Sequence, residues 1–224
     1  MFAFVVIIIA ILVLSFAINM LLMYSVGPFY RVFVAPGVIV HELSHAFACF
    51  ITGTKVIGIS FFKKDGGEVR HGHSGIPILG PILISIAPFI IGAVVIFLLS
   101  KLVGFKPVNL IDFHYTPGNV AFLIKTTFST FDFKNFKTWL ALYLILSIAV
   151  TMIPSLEDIR NLLFSLAVVF AVVFVIYRYT HFRPDLSFLF QPELYVILTS
   201  VLFLLIIALF LSIVIFAIKN AFSA

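Results

Sequence analysis

Residues 29–52 read FYRVFVAPGVIVHELSHAFACFIT. Nearly every position is apolar, and about 20 such residues in a helix cross the hydrocarbon core of a bilayer. Apart from Arg31 at its start, three ionisable side chains break the pattern: His41, Glu42 and His45. Ionisable groups at membrane depth cost about 2.5–3.5 kcal/mol each on insertion scales and mark function by default. The stretch therefore carries two readings at once. It is a membrane-spanning helix, and it holds a reactive cluster.

The rest of the chain agrees with the first reading. Of 224 residues, 63% are hydrophobic and 10% charged, against about 45–50% and about 25% in soluble domains. This composition excludes a disordered chain, a coiled coil, a nucleic-acid module and a small disulfide scaffold. One cysteine, Cys49, excludes an intramolecular disulfide. The net charge of +5 reads as Lys and Arg gathered at the headgroup level, with the lipid bilayer and not nucleic acid as partner.

The expected fold is an all-α polytopic membrane protein with about six transmembrane helices: Phe2–Tyr24, Phe29–Thr52, Ile76–Val103, Trp139–Ile153, Arg160–Tyr177 and Glu193–Ile218. The first is too long for a signal-peptide core, and no Lys or Arg precedes it, so it reads as a retained helix. Residues 1–224 form one integral membrane domain, with a core of about 29–177 and peripheral helices 2–24 and 193–218. Two connections are long. In Gly53–Gly75, β-prone runs flank Asp65-Gly66-Gly67, which predicts a small β-hairpin insert after the second helix. Gly104–Thr138 is polar enough to leave the membrane. The first three helices differ from the last three in motif content, which argues against an inverted-repeat transporter. Six spans put the hairpin and both termini on one side, with six Lys and Arg there and eight opposite. The positive-inside rule does not choose between such counts.

The spacing His41-Glu42-Leu43-Ser44-His45 carries a mechanism. Residues four apart share one helix face, about 6 Å apart along the axis. Two imidazoles placed so can bind one ion. Glu42 lies about 100° round the helix, beside the ion, where it can act as general base toward water. The bland alternative, two helix-interior histidines bonded to backbone or to each other, has no cheap form inside an apolar span. Zinc suits imidazole and carboxylate ligands and needs a third protein ligand at a catalytic site.

The candidates for that ligand are Asp158, Glu157, His71, His73, Asp112 and His114. Asp158 is preferred, because it follows the break Pro154–Asp158, where a carboxylate can reach inward between helices. Ser155 with two acids in the next turn also reads as a helix N-cap, and both roles can hold together. Cys49 lies two turns from His41, too far to share an ion with both histidines, and reads as an apolar filler. His71 and His73 point the same way on a strand and read as a metal pair or as interfacial histidines on a hairpin rim. A water path is expected past Ser44, Thr52 or Ser155. An edge of the hairpin Lys55–Glu68 could hold a substrate extended.

These residues resemble a family. The His-Glu-x-x-His helix, the short β-rich insert Lys55–His73, Gly80-Pro81 in the next helix, and Pro154 with Asp158 at a later junction are similar to the site-2 protease family of intramembrane zinc metalloproteases. The likeness covers about Phe29–Tyr177 and extends to the six-helix archaeal members. It implies one catalytic Zn²⁺ held by His41, His45 and Asp158, with Glu42 as the catalytic residue. It also implies a transmembrane protein substrate, a multi-pass place in the cell membrane, and a cytosolic hairpin. Gly80-Pro81 and Pro88 then lie in a helix beside the site. The chain departs from the family's second motif. The upstream Asn is missing, Ile159 stands where Gly is usual, and the doubled acid makes Glu157 an alternative third ligand. Two other classes compete: a zinc or proton transporter using the same groups, and a non-catalytic membrane protein of this type. Glu42 speaks against the last, since metal binding alone does not need it.

Overall fold

The computed structural model describes residues 2–63, 66–104, 134–152, 154–180 and 191–223, with isolated positions between 122 and 132. Asp112 and His114, two of the candidate ligands, lie outside the described residues.

Helix α1 is Phe2–Val26, and a single 3-10 turn, Gly27–Phe29, leads into α2, Tyr30–Ile51. Gly27 takes φ +60°, the left-handed conformation that stops a helix at little cost to glycine. The Tyr30 hydroxyl donates to Asn19 Oδ1 across this corner at 2.5 Å. Strands β1, Val56–Lys63, and β2, Gly66–His71, pair antiparallel as the expected hairpin. Helix α3 is Leu79–Leu102, α4 is Phe136–Thr151, α5 is Leu156–Tyr179 and α6 is Pro192–Ser223.

Among the described residues, five helices are long and apolar enough to cross a membrane: α1, α2, α3, α5 and α6. This is the build of an integral membrane protein. The fourth predicted span is α4, with 16 residues. At 1.5 Å per residue it reaches about 24 Å, short of a bilayer core of about 30 Å. Asn135 caps its start by accepting from the Lys137 amide, and the break before Pro154 ends it.

The directions of the helices correct the six-crossing expectation. Phe4 packs on Tyr195 and Tyr24 on Phe216, so α1 and α6 run the same way. Parallel α1 and α6 require an odd number of crossings between them. Among the described helices α2 and α3 make two, so α4 and α5 together count as one. Along α4, Tyr143 meets Phe33 and Thr151 meets His41, so α4 runs parallel to α2. The chain then breaks, and α5 runs from Asp158 beside His45 toward Val168 near Ile78 and Pro81 at the start of α3, so it goes on in place of turning back. The N-terminal end of α1 and the C-terminal end of α6 accordingly lie at opposite ends of the bundle, not on one side.

Lipid tails are as apolar as leucine, so close packing, not water exclusion, holds such helices together. The main apolar cluster joins α1 and α6 through Ile11, Ile18, Leu22, Val201 and Leu205, and reaches α4 through Ala149 and Val150. Nearer the hairpin, small residues set the spacing. A Cβ on Gly37 would stand 2.2 Å from the Ser147 carbonyl oxygen, and the Gly37 amide donates to Ser147 Oγ at 2.9 Å. Gly92 gives the same close approach to Met152. These contacts bring α4 against α2 and α3 one turn away from the His-Glu-x-x-His segment.

Candidate metal centre

His41, Glu42 and His45 lie in the C-terminal half of α2, where the helix passes both α4 and β2. Four-residue spacing stacks the two imidazoles on one face, with ring centroids 4.9 Å apart. Each ring is fixed by a backbone carbonyl of another helix. His41 Nδ1 donates to the Thr151 carbonyl at 2.5 Å, and His45 Nδ1 to the Ile84 carbonyl at 2.9 Å.

A carbonyl oxygen only accepts, so both Nδ1 atoms carry hydrogen. In neutral imidazoles both Nε2 atoms are then bare lone pairs. They face each other at 3.2 Å. Two acceptors at that distance repel unless a cation sits against both. Asp158 adds negative charge to the same point, with Oδ2 3.6 Å from His45 Nε2. Ligand atoms of His41, His45 and Asp158 all lie within 4.8 Å of one another, so the cluster could hold a metal ion.

The anticipated cap at Asp158 is present. Its amide donates to Ser155 Oγ at 3.1 Å, and its Oδ2 accepts from the Ser155 amide at 2.9 Å and hydroxyl at 2.7 Å. This is a capping box on the first turn of α5. The cap fixes where the carboxylate points, and it points at His45.

Glu42 is only 5% exposed and lies beneath the hairpin. A Cβ on Gly67 would come within 2.4 Å of Glu42 Oε1, so only a bare backbone fits above this carboxylate. A cavity of about 740 Å³ opens from the cluster, bordered by Ile57, residues 67–71, Ser155, Glu157 and Asn161. Five consecutive residues of β2 line it. Side chains of a strand alternate between faces, so it is the edge of β2, not one face, that borders the space.

The other candidates fall elsewhere. Glu157 borders the cavity but is exposed and stands apart from the cluster. His71 ends β2 at the cavity rim, and His73 lies past the strand, exposed. Cys49 is fully buried among Ala48, Ile84 and Ala87, as an apolar filler would be. Ser44 is spent on the Val40 carbonyl, and Thr52 on Ala48 and Thr54, both buried, so neither lines a path for water. Ser155 does border the cavity. Gly80 packs under Ser74 at the start of α3. The Thr151 and Ile84 carbonyls could not be foreseen, because a backbone acceptor has no residue signature. Gly37 and Gly67 matter for what they lack, which only the packing reveals.

Compared with models of known protein families, with curated proteins and with solved structures, the chain matches none of them.

Proposed function

We propose that this chain is an intramembrane zinc metalloprotease of the site-2 protease type, seated in the cell membrane. Its substrates are membrane proteins cut in or near their apolar segments. One observation carries the reading: two imidazoles with Nε2 turned inward and a carboxylate converge on one point, with a second, buried carboxylate beside them. Two nitrogens and one oxygen are the donor set of a catalytic zinc site, which leaves a position for water.

Zinc, when bound, supplies a Lewis acid that acidifies water and polarises a carbonyl. His41, His45 and Asp158 would hold it. Glu42 takes a proton from the attacking water onto its carboxylate and passes it to the leaving amine nitrogen as the peptide C–N bond breaks. Water reaches Glu42 through the cavity bordered by Ser155, Glu157 and Asn161. A helical substrate hides its amide and must be unwound first. The cavity-side edge of β2 supports an extended segment through main-chain hydrogen bonds. Transport by the same groups would use ligands spread through the membrane. Among the described residues, His41, His45 and Asp158 are the one group close enough to share an ion.

The test is zinc content and cleavage of a membrane-helix substrate by the purified wild type and Glu42→Gln. Both forms should carry zinc, while cleavage falls by about 10²–10⁴-fold in the variant. Equal cleavage by both would sink the role of Glu42. Zinc flux into proteoliposomes without cleavage would turn the assignment to transport.

A further inference from the structure

Pro88 is the tenth residue of α3 and is buried. In a regular α-helix the amide of residue 88 would donate to the carbonyl of Ile84. Proline has no amide hydrogen, and its ring crowds that same carbonyl away from the helix axis. A carbonyl freed in this way inside a membrane must find another donor. Ile84 is 3% exposed, so the donor has to come from the protein. It is His45 Nδ1, at 2.9 Å.

We propose that Pro88 is a positioning residue for the metal site, releasing the Ile84 carbonyl to fix the His45 ring with Nε2 inward. The inference rests on reading His41, His45 and Asp158 as zinc ligands. The other histidine shows the same device built differently. Thr151 ends α4, and residue 154, three further on, is a proline. The amide of Ser155, four further on, is taken by Asp158 Oδ2. The Thr151 carbonyl is thus left for His41. In both helices the amide that would compete for the carbonyl is missing or diverted. A proline that merely broke the ladder of α3 would not account for the bond to His45.

The experiment uses the full chain in detergent with Zn²⁺ alone, its affinity measured by chelator competition. Pro88→Ala restores the competing amide. The dissociation constant should rise by about 10–100-fold, the usual effect of losing a group that orients a ligand. The visible spectrum of the Co²⁺-loaded chain should change as well, because the His45 ring turns. If Pro88→Ala does not fold, replacing Ser85 by its α-hydroxy acid makes the Ile84 carbonyl a weaker ester acceptor, and zinc affinity should again fall. A folded variant of either kind with affinity within about twofold of wild type and an unaltered Co²⁺ spectrum overturns the proposal and leaves the zinc site standing. A wild type that binds no zinc overturns both.

Discussion

Helices α2 and α5 bring side chains to the same point, and they are held there in opposite ways. α2 is gripped on several sides. Gly37 lies against α4, His45 is bonded to α3, and Glu42 is roofed by Gly67 of β2. α5 delivers Asp158 from its first turn, lies against α3 as far as Ser165, which is buried, and only then parts from the bundle: every residue from Ala171 to Thr180 is exposed. A carboxylate can be aimed by a cap spanning three residues, whatever its helix does afterwards. An imidazole cannot. Which of its nitrogens faces an ion depends on an acceptor for the other, and on α2 that acceptor has to come from a different helix.

Breaking the α5 side at its tip should have the largest effect. Asp158→Asn keeps the shape and much of the cap but removes the charge. Two bare Nε2 atoms then lose their only acidic partner in the cluster. Removing one member of a buried charged group costs about 3–5 kcal/mol, near a thousandfold in affinity. Zinc measured on the purified variant should be close to nil, with cleavage lost in step. Retained zinc would hand the third position to Glu157 or a histidine.

The α2 side is best broken at a distance. In Gly37→Ala the new Cβ meets the Ser147 carbonyl, a backbone atom that cannot swing away. α2 and α4 must part, and the bond from His41 to Thr151, one turn on, should stretch. Thermal unfolding should report a loss of about 1–3 kcal/mol from overpacking. Zinc affinity should drop by about 10–100-fold. A destabilised chain with intact zinc affinity would show that the α2–α4 contact supports the fold without holding the site.

The two sides also differed in how plainly the sequence announced them. The apolar spans, the hairpin at Asp65-Gly66-Gly67 and the triplet His41, Glu42, His45 could be read directly, because each is a local pattern with a fixed period. The Ser155–Asp158 cap could be read for the same reason: its members are three residues apart. The partners of α2 could not. Thr151 lies 110 residues from His41, and Ile84 lies 39 residues from His45. Each contributes only a carbonyl, which every residue has. The count of crossings failed on another ground. Apolar length separates α4 from α5 at Pro154, but hydropathy carries no direction, and the contacts of α1 with α6 were needed to show one broken passage there.

The smallest effect should come from Ser155→Ala, and it bears most directly on the contrast between the helices. The change removes the hydroxyl that accepts from the Asp158 amide and donates to Oδ2, but keeps the backbone amide that also holds Oδ2. A lost N-cap costs about 1 kcal/mol. If that cost falls on the aim of Asp158, zinc affinity declines by about fivefold, well short of the loss in Asp158→Asn. Ser155→Thr restores the hydroxyl and should restore the affinity. Were Ser155→Ala to bind zinc as the wild type does, the cap would not be what aims Asp158. The packing of α5 on α3 would then have to aim the carboxylate, and the contrast with α2 would collapse.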